Sequence, residues 1–558
     1  MNPATIAPAS NADRFPVRKE TLSFWTRDGI RLDADLYRPQ TDEPLPLLLM
    51  RQPYGRAIAS TVVYAHPRWY AEQGYLVLIQ DVRGCGSSTG KFELFAHEAA
   101  DGAETIAWAQ QLPGCNGRVG LYGFSYQGMT QLYAASVAVG AVQAIAPAML
   151  GPDLYHHWAT EGGAFRLQLS LAWALQLEGL QAQRRQDHAS WQQLRAAGQQ
   201  LQSEAGIQAA ETLLQELAPN SFYFDWQRSP EDDYWHAIAP DLSAIDIPAL
   251  HIGGWFDPYL NGTIATYQTL KQQTTAPQWL RIGPWAHLPW GRQAGAIDFG
   301  TEAVSPIDEL QVRWFDAWLK DQPDRLEDEP AIAVFEMGRN QWRSLADWPT
   351  GTPQIWSIAS DGLAAMRSDR GQLQPRAGHS QTDDLLVHDP WRPVPNLGGH
   401  NGLAAGPQER SAIEERSDIL KYRSEPFASG LLICGQPRLY LICESDRPSW
   451  DLYVVLSRQT ATGLWDFSQG FRRVKQVEAG AGYWVDLQPT CQRLSAGDRL
   501  CLSVALAAYP AFAVNPGNGD LPTATVPVNA QVITIQVQSA GSFLELPTVA
   551  IAVSDESA

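Results

Sequence analysis

Short apolar runs suited to strands buried on both faces alternate with helix-spaced segments, stop near residue 150 and start again near residue 241. LPLLLM at 45–50, YLVLIQ at 75–80 and VGLY at 119–122 are rich in Leu, Ile and Val and bounded by Pro or Gly. Continuous apolar runs of this length fit strands covered on both sides, which occur mainly in parallel sheets. Helical spacing falls between them, at 98–111 and 126–139. PALHI at 248–252 and WLRI at 279–282 each end at glycine, and the helical DELQVRWFDAWLK at 308–320 completes the pattern. An alternation that pauses and resumes is one sheet carrying an insertion. The fold class is α/β.

The interruption is helical. The chain has 38 prolines, yet none falls in the 66 positions between Pro152 and Pro219. That stretch is rich in Gln, Ala, Leu and Arg, all good helix formers, which predicts a helical cap rather than sheet. After Trp348 the character changes. PRLYLIC at 437–443, WDLYVVL at 450–456, RLCLSVALA at 499–507 and QVITIQV at 531–537 are short, β-rich and separated by turns. They predict a separate all-β sandwich or jelly roll. The expected division is an α/β core in two parts, 15–150 and 241–350, a cap over 151–240 and a β domain over 351–558.

Composition narrows the partners. Lys and Arg number 41 against 60 Asp and Glu, a net charge of −19. Such a surface repels phosphate backbones, which argues against nucleic acid. No stretch approaches the roughly 20 apolar residues that span a bilayer. The opening MNPATIAPASNADRFP is too polar for a signal-peptide core, so a cytoplasmic protein is expected. Six cysteines without CxxC or zinc-like spacing read as free thiols, and no metal is expected.

The strongest chemical signal is RVGLYGFSYQG at 118–128. A short strand ends at Gly123, Ser125 follows two residues later, and a helix begins at once. That is the setting of a nucleophile elbow, which lifts a hydroxyl off the carboxyl edge of a sheet. A serine hydroxyl is a weak nucleophile and needs a base plus a group that orients the base. In α/β-hydrolases the chain order is Ser, then Asp or Glu, then His. Asp257, in GGWFD, follows the strand at 248–252, and His287, in GPWAH, follows the next. Each alone reads better as a turn residue or a packed histidine. Together, in order and at strand ends, they form a candidate triad, with activity expected to fall when acid protonates the imidazole.

The same residues carry a resemblance. Gly123-Phe-Ser125-Tyr126-Gln-Gly128 fits the G-x-S-Y-x-G elbow of the cocaine esterase/X-Pro dipeptidyl-peptidase (CocE/NonD) family of serine hydrolases. RQPY at 51–54, DVRG at 81–84, NGRV at 116–119, GPWAH at 283–287, YRSEP at 422–426 and NPGNG at 515–519 are similar too. The resemblance implies an α/β-hydrolase domain with an inserted helical cap and a C-terminal jelly roll of galactose-binding-like type. It implies an acyl-enzyme on Ser125 with His287 as base and Asp257 orienting it. The oxyanion hole would be the Tyr54 hydroxyl and the backbone N–H of Tyr126. No cofactor is implied, and the partner would be a small-molecule ester or amide; a homo-oligomer is left open.

Trp158, Phe165, Trp255, Phe256 and Trp285 are candidates for an apolar substrate pocket, although core packing is as good a reading in a chain with 21 Trp. Amino-ester hydrolases of the family place acidic residues two and three positions after the catalytic Asp; here Tyr259 and Leu260 stand there. Cap carboxylates Asp153, Glu161 or Asp232 are the substitutes available for gripping an ammonium group. Dedicated X-Pro dipeptidyl-peptidases carry an extra N-terminal region that this sequence does not show. Carboxylic-ester or amide hydrolysis is the favoured expectation. X-Pro peptidase or acylase activity is the alternative, and a non-catalytic binding protein on a hydrolase scaffold the remote one.

Overall fold

The computed structural model describes residues 15–58, 61–349, 352–375, 382–475, 481–520 and 527–549. The expected boundary between 350 and 351 and most of the opening polar segment lie outside the described residues.

Ten strands form the first sheet. They are β1 (Val17–Trp25), β2 (Arg31–Pro39), β3 (Leu45–Gln52), β4 (Leu76–Asp81), β5 (Cys115–Phe124), β6 (Ala144–Ala148), β9 (Ala249–Phe256), β10 (Gln278–Ala286), β13 (Ile332–Glu336) and β14 (Gln341–Leu345). Their spatial order is β1-β2-β4-β3-β5-β6-β9-β10-β13-β14. The run from β4 to β13 is parallel, and the flanking strands pair antiparallel. Strand periodicity divides the core. Leu47 and Leu49 of β3 pack on the side of helices α2 (Glu98–Ala109) and α3 (Tyr126–Val137). Leu48 and Met50 pack on the opposite side, with α10 (Ile307–Leu319) and residues of α1 (Pro67–Glu72). Both faces are covered, which is why β4, β6 and β9 are buried along their whole length.

The strands of the second half run further than their sequence boundaries suggest. β9 continues through Gly253-Gly254 to Phe256, and β10 through Gly283-Pro284 to Ala286. Gly254 does not end its strand. It permits a close crossing, since a Cβ there would lie 2.4 Å from the Trp285 carbonyl oxygen.

The insertion is mainly helical: α4 (Leu167–Arg184), α5 (His188–Gly198), α6 (Glu204–Leu217), α7 (Phe222–Asp225) and α8 (Asp233–Ile238). It differs from the all-helical expectation at its start, where a π-turn (Tyr155–Ala159) leads into a small hairpin of β7 (Thr160–Glu161) and β8 (Ala164–Phe165). That hairpin lies against the C-terminal domain, whose Arg473 N–H donates to the Gly162 carbonyl at 2.8 Å. A second hairpin, β11 (Gln293–Ala294) with β12 (Ile297–Asp298), follows β10, and α9 (Leu260–Gln273) follows β9. The described residues of the C-terminal region are all-β apart from single turns of helix, with a ten-stranded and a three-stranded sheet over an apolar core. No helix among the described residues is long and apolar enough to cross a membrane.

Buried charges hold the active edge of the sheet. Arg51, at the end of β3, pairs with Glu98 at the start of α2 at 2.7 Å, the side chains 2% and 4% exposed. Arg51 Nε also donates to Gln80 Oε1 of β4 at 2.8 Å, and Tyr126 Oη donates to Glu98 Oε1 at 2.7 Å. One ion pair thus ties two strands, α2 and the first residue of α3. Asp81 and Arg83 are scaffolding, but not with each other: Asp81 pairs with Arg56, and Arg83 with Asp101 and Asp28. Removing one partner of a buried pair strands the other charge, so Arg51→Met is expected to cost about 3–5 kcal/mol in denaturant unfolding. A loss below about 1 kcal/mol, the range of a surface pair, would contradict this account.

Candidate active site

Ser125 sits between β5 and α3 at φ 59°, ψ −125°, outside the regions L-residues favour. It occupies the N-cap position of α3, yet its side chain makes no capping hydrogen bond. The hydroxyl is therefore not spent on the helix. Around it the turn is tightly packed. The Ser125 N–H donates to the Ala148 carbonyl at 2.8 Å, and Gln127 Oε1 accepts from the Phe124 N–H at 3.3 Å. Gln127 Nε2 reaches Gln52 Oε1 at 3.1 Å. The general elbow pattern G-x-S-x-G places its second glycine at 127, whereas this chain has Gln127 there and glycine at 128. A Cβ at Gly128 would lie 2.4 Å from Leu150 Cδ2 and 2.9 Å from the Ala148 oxygen, the acceptor of the Ser125 N–H. Position 127 carries the bracing amide, and position 128 must be bare.

Asp257 is the first residue after β9 and His287 the first after β10, neighbouring parallel strands. His287 Nδ1 lies 2.7 Å from Asp257 Oδ1; the carboxylate side chain is fully buried and the imidazole 25% exposed. A carboxylate on Nδ1 favours the tautomer that leaves Nε2 as an acceptor. The imidazole ring packs on Phe124, the residue before Ser125, at 5.3 Å between centroids, and edge-on against Tyr259 at 5.1 Å. Trp290 Nε1 donates to the His287 carbonyl at 3.1 Å and holds that loop.

Ser125, His287 and Tyr54 line one cavity of about 640 Å³ between the sheet edge, the cap and the β domain. Tyr54 follows β3 by two residues. Its Oη accepts from Trp173 Nε1 of α4 at 3.1 Å. Indole N–H can only donate, so the phenol's own proton is left for another acceptor. Burial pushes the Tyr54 phenol well above its ordinary range, which keeps that proton in place. Tyr126 contributes no side chain to the cavity: its ring is buried against Phe95 and its hydroxyl is on Glu98. Its backbone N–H is the first of α3, among the donors that no intrahelical carbonyl can take.

Of the five aromatic pocket candidates, only Trp158 lines the cavity, stacked on Tyr259 at 4.3 Å with its Nε1 on the Gly151 carbonyl. The other four are core residues. Phe165 packs on Tyr223 in the cap. Trp255 and Trp285 bury their rings and donate to the carbonyls of Phe335 and Ala303, and Phe256 stacks on Phe299. A residue within a strand faces one side of the sheet, whereas the cavity opens beyond the strand ends. Trp255, Phe256 and Trp285, although beside Asp257 and His287 in sequence, are therefore turned into the core.

Other lining groups had weak sequence signals or none. Trp173 and Leu169 come from α4, and Tyr259 from the turn after Asp257. His400, Leu403 and Gln408 come from a loop of the β-rich C-terminal region, marked in sequence only by the glycines at 398, 399 and 402. That loop is held to the cap by Glu161, which pairs with His400 at 2.9 Å and Arg166 at 3.0 Å. Burial alone would raise the Glu161 carboxyl; the neighbouring His400 and Arg166 charges outweigh it and hold it at about 2. None of the cap carboxylates considered for ammonium binding lines the cavity. Asp153 pairs with His156, Glu161 is engaged as above, and Asp232 caps α8. The described lining contains no Asp or Glu.

The model of the X-Pro dipeptidyl-peptidase (S15 family) matches residues 28–289. That of the X-Pro dipeptidyl-peptidase C-terminal non-catalytic domain matches 324–540. The cocaine esterase of Rhodococcus sp. (strain MB1 Bresler) is 31% identical over 528 residues, spanning 88% of this chain and 91% of that protein. The chain belongs to the CocE/NonD hydrolase family. As a member it is a serine-type hydrolase of the ester hydrolase/X-Pro peptidase group. Solved structures share the fold at lower identity. An aminopeptidase from a marine sediment Thaumarchaeota archaeon superposes with a TM-score of 0.79 at 22% identity, covering 98% of both chains. An α-amino acid ester hydrolase gives 0.78 at 19%, covering 98% of this chain and 100% of the other. A CocE/NonD family hydrolase from Staphylococcus aureus gives 0.67 at 17%, with 96% and 94% covered.

The packing at Gly128 yields a test. Gly128→Ala presses on the Ala148 carbonyl that anchors Ser125, so it is expected to cost about 1–3 kcal/mol by overpacking and to lower turnover as well. Unchanged thermal unfolding and turnover would mean the contact is slack.

Proposed function

We propose that this hydrolase cleaves neutral carboxylic esters through an acyl-enzyme on Ser125. The observation that carries the reading is the Asp257–His287 hydrogen bond of 2.7 Å, from a buried carboxylate to a part-exposed imidazole at the ends of adjacent strands, opening on the cavity that holds Ser125. Ser125 Oγ attacks the acyl carbon while His287 Nε2 takes its proton. Asp257 keeps the ring oriented and stabilises the imidazolium. The negative charge on the carbonyl oxygen is met by the Tyr54 hydroxyl and the Tyr126 N–H. His287 then protonates the alkoxide as its bond to the acyl carbon breaks; water enters, His287 takes its proton as the water oxygen bonds the acyl carbon, and that proton passes to Ser125 Oγ as the acyl–Oγ bond breaks and the acid leaves.

Ester preference follows from the lining. A substrate ammonium taken out of water needs a counter-charge, and no carboxylate lines the cavity among the described residues. Its walls are instead Trp158, Trp173, Tyr259, Leu169 and Leu403, which suit an apolar acyl or leaving group. The aminopeptidase and amino-ester likenesses therefore extend to the fold and not to this reading of the pocket.

Two measurements test it. Purified protein is expected to turn over p-nitrophenyl butyrate and to leave Ala-Pro-p-nitroanilide untouched; efficient anilide cleavage would select the peptidase alternative, and inertness toward both would sink hydrolysis at this site. Tyr54→Phe is expected to lose about 10²–10³ in kcat, the usual effect of deleting one oxyanion donor, with unfolding little changed. Turnover near wild type would remove Tyr54 from the oxyanion hole.

A further inference from the structure

Asp257 holds His287 through Oδ1, but its Oδ2 is buried and makes no hydrogen bond to the described residues. The carboxylate thus has no donor clamp of its own beyond the imidazole. Its position is inherited from the main chain of the turn that carries it. That turn is closed locally by the Asp257 N–H on the Gly254 carbonyl at 3.1 Å and the Leu260 N–H on the Asp257 carbonyl at 3.2 Å. Both fall at the upper end of the ordinary N–H···O range.

The shorter contact comes from the β domain. Gln488 lies between the strands Gly482–Asp486 and Thr490–Leu494 and is 2% exposed. Its Nε2 donates to the Asp257 carbonyl at 2.7 Å across 231 residues of chain, and its Oε1 accepts from Asn261 Nδ2 at 3.4 Å. Both ends of the amide are used on the hydrolase domain, on the residues that begin α9. The Gln488 backbone is itself fixed, its N–H on the Gln469 carbonyl at 2.7 Å and its carbonyl accepting from Ser468 Oγ at 2.6 Å. Two adjacent residues of one β-domain strand therefore brace a side chain aimed at the turn.

We propose that Gln488 is a positioning residue for the reaction. It sets the Asp257 turn from the C-terminal domain, so that the imidazole is aligned only when that domain is docked. The proposal rests on the triad reading above and assigns the β domain a part in turnover beyond walling the cavity. Loss of the donor should let the turn shift, and misplacement on the ångström scale costs up to about 10² in rate.

The full chain is tested with Gln488→Met, of similar length without the donor, and with the isosteric Gln488→Glu. A fluorophosphonate counts competent sites, and p-nitrophenyl butyrate gives kcat and KM per titrated site. Both variants are expected to lose about ten- to a hundredfold in kcat per site, with KM unchanged. Arg493→Met removes an ion pair to Glu336, which joins the same two regions away from the cavity; it is expected to lower the melting temperature and leave kcat per site alone. A purely structural Gln488 would give fewer titratable sites, each turning over at the wild-type rate, and that result in either variant overturns the proposal. An equal kcat loss in Arg493→Met overturns it too. If the wild-type chain takes no fluorophosphonate, the triad reading fails first, and the two failures are told apart.

Discussion

A serine held at positive φ is costly to keep, of order 1–3 kcal/mol, and the neighbourhood of Ser125 is built around that cost. The turn cannot relax because it is over-determined. Ala148 takes its N–H, Gln127 braces it from within the helix, and the Arg51–Glu98 pair locks Tyr126 behind it. The strain leaves the hydroxyl of a helix-capping position free of the helix. On the proposed reading, that single consequence is what frees Ser125 to act as a nucleophile at this edge of the sheet.

Much of this was legible in the sequence because it depends on local order. Continuous apolar runs marked strands covered twice, and the residues just past β5, β9 and β10 had to emerge at one edge whatever the details of packing. The proline-free tract marked the cap. What could not be read depends on which way a side chain points across long separations. Trp255, Phe256 and Trp285 lie next to the candidate triad in sequence, but strand geometry turns them into the core. His400 and Leu403 reach the cavity from more than a hundred residues beyond His287, with only a glycine-rich loop to mark them. Gly253-Gly254 and Gly283-Pro284 read as strand ends, yet β9 and β10 run on through them, because a glycine that permits a close approach, as Gly254 does to the Trp285 carbonyl, looks the same in sequence as one that ends a strand.

The cavity is assembled by three parts of the chain, each with its own fastening. The sheet edge supplies Ser125, Asp257 and His287, the proposed reactive groups. The cap supplies Trp158 and Trp173, the latter also fixing the hydrogen-bond role of Tyr54. The β-rich C-terminal region supplies the His400 loop, held by a buried Glu161 whose carboxylate meets the Arg166 guanidinium and the His400 imidazole. This division separates chemistry from selectivity. The contacts that orient the candidate reactive groups come from the strand ends and from single residues of the cap and β domain, Trp173 and Gln488, whereas the apolar walls come from neighbouring residues that make none of those contacts. It is consistent with one fold carrying esterase and peptidase names among its relatives at low identity.

The central claim is that Ser125 is the nucleophile and His287 its base. Peptide mapping by mass spectrometry after fluorophosphonate treatment tests it most directly. The account predicts a single phosphonyl adduct on the peptide containing Ser125, absent from Ser125→Ala and formed far more slowly in His287→Ala. An adduct on another residue, or labelling that survives in Ser125→Ala at the wild-type rate, would contradict it.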